Sequence, residues 1–111
     1  MKLRIVKSAI WPVTAHIQKD GGELEEHAFF ARYKKLKDSE MEKFEQTFLA
    51  KHKRLPNEKD LVRHVVEGVG ETIEEVRTNK KALEDMLDDA CYQLALYQEY
   101  INFRVGIATK N

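Results

Sequence analysis

With 111 residues and 13.0 kDa, the chain has room for one compact domain with a modest core and is too short for two cores. Apolar residues make up 42% and charged residues 34%, a balance that excludes a disordered chain, and no apolar run approaches the roughly 18 residues of a membrane-spanning helix. Lys plus Arg equal Asp plus Glu at 19 each, so no net charge draws the protein to nucleic acid or to an anionic membrane, and neither is an expected partner.

The amino-terminal stretch Met1–Lys7 is charged but lacks an apolar region and a small-residue cleavage site behind it, so no secretory signal is expected. Leu3 to Val6 can add a short strand. Next, Trp11, Val13, Ala15 and Ile17 alternate with Pro12, Thr14, His16 and Gln18, which is the period of a half-buried strand. Asp20-Gly21-Gly22 supplies residues that tolerate positive φ, and Phe29, Ala31 and Tyr33 then alternate with Phe30, Arg32 and Lys34. A hairpin between Ala9 and Leu36 follows. Pro12 removes one ladder donor and points to an edge position or to the first residues of its strand.

Ser39 followed by Glu42 matches a capping box, and Met41, Phe44 and Phe48 recur at helical spacing behind it. The basic run Lys51-His52-Lys53-Arg54 suits the carboxyl end of that helix, which Leu55-Pro56 ends. A second helix, capped by Asn57, carries Leu61, Val62, Val65 and Val66. Gly68 and Gly70 interrupt it, and Glu67 to Arg77 reads as a loop or a short hairpin arm. Thr78 or Asn79 can cap a third helix with Leu83, Met86 and Leu87, and Asp88-Asp89 offers a fresh cap. Residues 79 to 104 are accordingly either two helices with a break or one continuous helix. The fold class expected is α+β, mainly helical, with an N-terminal β-hairpin packed against three or four α-helices in a single domain over 1–111.

Chemistry-bearing patterns are sparse. His16, His27, His52 and His64 share no i, i+4 spacing and lie near no cysteine, so a metal site is not expected. Glu74-Glu75 and Asp88-Asp89 are adjacent pairs, which on a helix do not face one point. Gly68-x-Gly70 lacks the remaining elements of a phosphate loop. The single cysteine, Cys91, forms no internal disulfide and fits a reducing compartment. No catalytic residue, metal or cofactor is therefore expected, and the chain reads as an interaction protein rather than an enzyme.

Charge is distributed unevenly: residues 1–56 carry 12 Lys/Arg against 8 Asp/Glu, and residues 57–111 carry 7 against 11. That asymmetry suits head-to-tail packing of copies or a plain solvated surface, the second being the expectation. The last helix is more informative. At 100 degrees per residue, Tyr92, Leu96, Tyr100 and Phe103 fall within about 80 degrees, while Leu94, Tyr97, Ile101 and Val105 form a second stripe nearly opposite. One stripe serves the domain's own core; the other meets another element, another copy or a partner. Tyrosine tolerates both an apolar contact and water, so the Tyr92, Leu96, Tyr100 and Phe103 stripe is the expected partner-binding surface. A helix sandwiched between the hairpin and the other helices is the alternative.

These segments, in this order, resemble the tail assembly chaperones of lambda-like long-tailed bacteriophages. Trp11-Pro12-Val13, Asp20-Gly21-Gly22 and Phe29-Phe30-Ala31-Arg32-Tyr33-Lys34-Lys35-Leu36 are similar to that family's amino-terminal hairpin. Val66-Glu67-Gly68-Val69 resembles its Trp-Glu-Gly-Val element, Thr78-Asn79 with Ala82-Leu83 its next capped helix, and Ala95-Leu96, Tyr100 and Lys110-Asn111 its last helix and end. Val66 stands where the family has tryptophan, Lys19 near a frequent proline, and Ala90 where proline often opens the last helix. The resemblance, over about residues 9–111, implies a non-enzymatic assembly factor. It would bind the tape measure protein, mask its apolar surface and self-associate along it. A longer frameshifted form would recruit the major tail protein. The implied location is the cytoplasm of the infected or lysogenic bacterial host, outside the mature virion. The competing expectations are a structural head or tail completion protein built into the virion and a small nucleic-acid-binding regulator.

Overall fold

The computed structural model describes residues 1–77 and 80–107. Strand β1 (Ser8–Gln18) and strand β2 (Leu24–Lys34) form the expected hairpin, paired antiparallel with Val13 opposite Phe29 and Trp11 opposite Ala31. The turn between them is a short 3-10 stretch at Asp20–Gly22, with Gly21 at φ 78° and Gly22 at φ 82°. Both angles lie in the left-handed region that side chains disfavour, which is why two glycines stand there.

Helix α1 (Asp38–His52) follows, then helix α2 (Glu58–Val65), strand β3 (Val66–Gly70), a 3-10 turn at Glu75–Arg77, helix α3 (Lys80–Leu87) and helix α4 (Ala90–Val105). Among the described residues the architecture is α+β with an amino-terminal hairpin and four α-helices, within the expected three or four. Its third strand is not the expected one. Leu3 to Val6 stay outside the sheet, whereas Val66–Gly70, read from the sequence as the end of a helix at Val66 followed by a loop or a short hairpin arm, pairs antiparallel with β2 in the order β1-β2-β3. The β-branched residues Val66 and Val69 suit a strand, and both are buried on it.

Local capping explains most boundaries. The box at the start of α1 lies two residues ahead of the expected Ser39/Glu42 pair: Glu40 accepts from the Lys37 N–H at 3.0 Å. Asn57 caps α2 as expected, accepting from the Asp60 N–H at 2.9 Å while the Asp60 carboxylate accepts from the Asn57 N–H at 3.0 Å. Asp89 caps α4, its Oδ1 accepting from the N–H groups of Cys91 and Tyr92. The break at Asp88-Asp89 makes α3 and α4 separate helices. The expected cap of α3, Thr78 or Asn79, lies outside the described residues.

One apolar cluster draws from Val13 to Phe103. The inner face of the sheet contributes Val13, Ala15, Phe29, Ala31, Tyr33 and Val69, and α4 lays Leu96, Tyr100 and Phe103 across it. Tyr33 is the hub. Its ring stacks on Phe103 at 5.4 Å and lies 5.6 Å from Tyr100, and its hydroxyl donates to the Leu96 carbonyl at 2.9 Å. Burial, with the neighbouring Glu99 carboxylate, pushes the Tyr33 pKa well above 10, so the hydroxyl stays a donor at any physiological pH.

Helix α1 is attached more lightly, with no residue fully buried. Its contact runs through Phe44, which stacks on His64 of α2 with centroids 4.1 Å apart, and through Arg104 of α4, which donates to Asp38 at 2.6 Å. Burial, followed by the Lys34 charge, lowers the His64 pKa below its ordinary 6.5. Because the folded chain prefers the neutral ring, stability is complete above the unfolded value and falls as pH drops toward the lower folded value. Thermal melts are expected to show that loss as pH falls below about 6.5, and His64→Phe, which keeps the stack without the proton, is expected to flatten it. An unchanged slope in the variant would remove His64 as its cause.

Candidate partner-binding surface

Helix α4 is the element on which the sequence placed the site, and its rotation is fixed by two long-range bonds. Besides the Tyr33 hydroxyl on the Leu96 carbonyl, the Trp11 indole N–H donates to Glu99 at 2.9 Å. Trp11 also meets Phe103 edge-on at 5.4 Å. These contacts turn the Tyr92, Leu96, Tyr100 and Phe103 stripe toward the sheet. Leu96 is 0%, Tyr100 1% and Phe103 6% exposed, so three of the four residues expected to meet a partner are core. Tyr92 is half-buried, and its hydroxyl bonds His27 Nδ1 at 2.6 Å.

The inward turn of this stripe has a steric reason. The sheet positions that face α4 include Ala15 and Ala31, both fully buried and both small. The gap they leave needs large rings from the helix, and an aromatic stripe fills it better than Leu94 and Val105 would. The signal was present in the sequence, since the alanines sit at inward positions of the strand alternation, but it requires knowing which element covers them.

The opposite stripe is the one left outside. Leu94 is 49%, Ile101 46% and Val105 64% exposed, and Ile107 beyond the helix end is 59% exposed. Tyr97, the fourth member, is tucked beside Met41, Phe44 and Leu61, where it bridges α4 to α1 and α2. The expectation of two apolar faces holds with their roles exchanged.

Beside this ridge a groove of about 440 Å³ runs between α4 and strand β1. Pro12, Thr14 and His16 form the strand side, and Leu94, Ala95 and Gln98 form much of the helix side. Leu94 belongs to both ridge and groove, so the two make one continuous surface. At the near end Cys91 Sγ contacts Gln18 Oε1 at 2.9 Å, closing α4 onto the end of β1.

Several polar groups brace the elements around this surface. Tyr92, His27 and Glu71 form a chain in which His27 Nδ1 lies 2.6 Å from the tyrosine hydroxyl and Nε2 lies 3.4 Å from Glu71. Burial, chiefly, raises the Tyr92 pKa, so its hydroxyl keeps its proton. A protonated phenol is a poor nucleophile, and the chain ties α4 to β2 and to the residues after β3. Arg54, from the basic run, donates to Asp60 at 2.7 Å and lies over the Phe48 ring at 4.9 Å. Arg54, first by its hydrogen bond, lowers the Asp60 pKa below the ordinary carboxylate value, which keeps the α2 capping box charged. Among the described residues, no three His, Cys, Asp or Glu side chains are placed to hold a metal ion, and no helix is long and apolar enough to cross a membrane.

No family model, no curated protein and no solved structure matches the chain.

Proposed function

We propose that the protein is a phage tail assembly chaperone that binds the tape measure protein and masks its apolar surface. The observation that carries this reading is the exposed ridge of Leu94, Ile101 and Val105 on α4, a helix whose other face is already used by its own core. The three residues are spaced by seven and four positions, so they line up along one side of the helix over about 16 Å. A stripe of that period is suited to a second helix lying alongside, as a long helical partner would offer. Each contact is weak. Covering one of these half-exposed side chains contributes about 1 kcal/mol, so a single copy would bind loosely and many copies along one extended partner would hold by avidity. The sequence resemblance to tail assembly chaperones supplies the identity of that partner. The same resemblance supports a longer frameshifted form that recruits the major tail protein. It also supports action in the cytoplasm of the bacterial host, with the protein absent from finished particles.

Co-expression with the tape measure protein tests the reading. Leu94→Ser, Ile101→Ser and Val105→Ser combined are expected to lower the yield of soluble tape measure protein several-fold while far-ultraviolet circular dichroism of the variant stays that of the parent. Undiminished solubilisation would sink the proposal. Mass spectrometry of purified particles separates it from a completion protein, which would be found there at a fixed copy number.

A further inference from the structure

Of the four α-helices, only α1 gives no residue to the buried cluster. Its first half makes the contacts with the rest of the fold. Met41 packs against the core from outside, Phe44 stacks on His64 of α2, and the Asp38 carboxylate, at the exposed helix start, accepts a hydrogen bond from Arg104 of α4. The second half turns on itself: Phe48 lies against His52 of the same helix at 4.2 Å and under the Arg54 guanidinium at 4.9 Å. Between α1 and the helices beneath it there is a gap of about 360 Å³, lined by Met41, Phe44, Leu61 and Tyr97 among others. A helix seated over such a gap lacks the close packing of the core.

The seat beneath α1 is firmer than the helix that occupies it. Leu61 of α2 and Tyr97 of α4 both pack on the core from its rim. On α4, Tyr97 follows Leu94 by three positions and precedes Ile101 by four, which at 100 degrees per residue sets it about 60 and 40 degrees from them. Lifting α1 therefore widens the exposed ridge of Leu94, Ile101 and Val105 into one apolar trough that reaches across Tyr97 to Leu61. The chain on either side of α1 is fastened separately. Leu36, ahead of it, is buried at 8% exposure, and Asn57, behind it, sits in the capping box of α2. Between those two points α1 can leave its seat with the core intact.

We infer that α1 is a displaceable cover and that an amphipathic helix of the partner replaces it in the trough between α2 and α4. The inference rests on the chaperone reading, in which that partner is the tape measure protein. Helix α1 itself shows what the seat accepts. It offers apolar side chains three positions apart, Met41 and Phe44, and a carboxylate one turn ahead of them, Asp38, for Arg104. A partner helix with that pattern satisfies the same groups and also covers Leu94, Ile101 and Val105, which α1 leaves exposed. That added contact favours the exchange, and until it occurs α1 keeps part of the apolar trough out of water.

Two measurements on the full chain test it. In hydrogen exchange on the free protein, the amides of Phe44 to Phe48 in α1 are expected to exchange roughly tenfold or more faster than those of Leu96 to Tyr100 in α4. Equal protection of the two helices overturns the inference. In binding to the tape measure protein, Phe44→Ala loosens the cover and is expected to bind several-fold more tightly than the parent, with exchange in α4 unchanged, because the open form is more populated. Tyr97→Ser alters the trough and is expected to bind several-fold more weakly. Unchanged or weaker binding by Phe44→Ala makes α1 part of the contact surface, which overturns the inference and leaves the chaperone reading standing. A parent that binds no tape measure protein sinks the chaperone reading itself and this occupant with it.

Discussion

Replacing Leu96 and Phe103 together by serine is expected to unfold the protein, not merely to blunt its contact with a partner. Both side chains lie in the cluster that α4 builds on the sheet, at 0% and 6% exposure. Truncating a buried leucine costs about 2–5 kcal/mol and a buried phenylalanine about 3–5 kcal/mol. The two new hydroxyls add the cost of burying polar groups without assured partners. Together these rival the roughly 5–15 kcal/mol that holds a domain folded. Loss of near-ultraviolet dichroism and of a cooperative urea transition would register the effect. The contrast with Leu94→Ser, Ile101→Ser and Val105→Ser is the informative part, because those three changes come from the same helix and are expected to leave the fold intact. Should the Leu96 and Phe103 pair tolerate serine, the assignment of that stripe to the interior fails.

The second large effect is expected at Gly68. A Cβ built there would stand 2.0 Å from the Val76 carbonyl oxygen, and at Gly70 one would stand 2.6 Å from the Glu75 Cβ. At Gly68 the obstacle is backbone, which cannot swing aside as a side-chain tip can. Gly68→Ala must lift the Glu75–Arg77 turn off β3 and expose Val76, which is 2% exposed. Overpacking of this kind costs about 1–3 kcal/mol, and uncovering a valine adds about 1.5 kcal/mol. A loss of about 2.5–4.5 kcal/mol in urea denaturation follows, together with faster hydrogen exchange at Val69. Gly21→Ala is the control. It meets nothing within 4 Å, so only its positive φ is penalised, at about 1–2 kcal/mol. Equal losses at both positions would mean that the close approach at Gly68 carries no weight.

These glycines show where reading along the chain stops being sufficient. In the sequence, Gly68 and Gly70 mark an interruption of a helix, and interruption suggests a loop or a short hairpin arm without saying which. In the fold they are strand residues, kept small because a segment five to eight positions later crosses directly above them. Nothing local encodes that crossing. The hairpin, by contrast, could be read residue by residue, because the alternation of Trp11 to Ile17 and of Phe29 to Tyr33 and the glycine turn between them are local properties. The Asn57 and Asp89 caps were legible for the same reason: a side chain bonding a backbone group two or three residues on needs no knowledge of the rest. The start of α1 was displaced by two residues, since Lys37-Asp38-Ser39-Glu40-Met41-Glu42 contains two acids that can serve the same box.

The candidate surface divides along the same line. That α4 has two apolar stripes is written in its sequence, because 100 degrees per residue fixes which side chains share a face. Which stripe turns inward is not a property of the helix. Ala15 and Ala31 on the sheet leave a space that Tyr100 and Phe103 fill, and the bonds from Tyr33 to the Leu96 carbonyl and from Trp11 to Glu99 lock that choice. The amphipathic pattern thus determined that the helix owes a surface to something outside its core, while packing volumes contributed by strands some 65 to 90 positions away decided that the surface is Leu94, Ile101 and Val105.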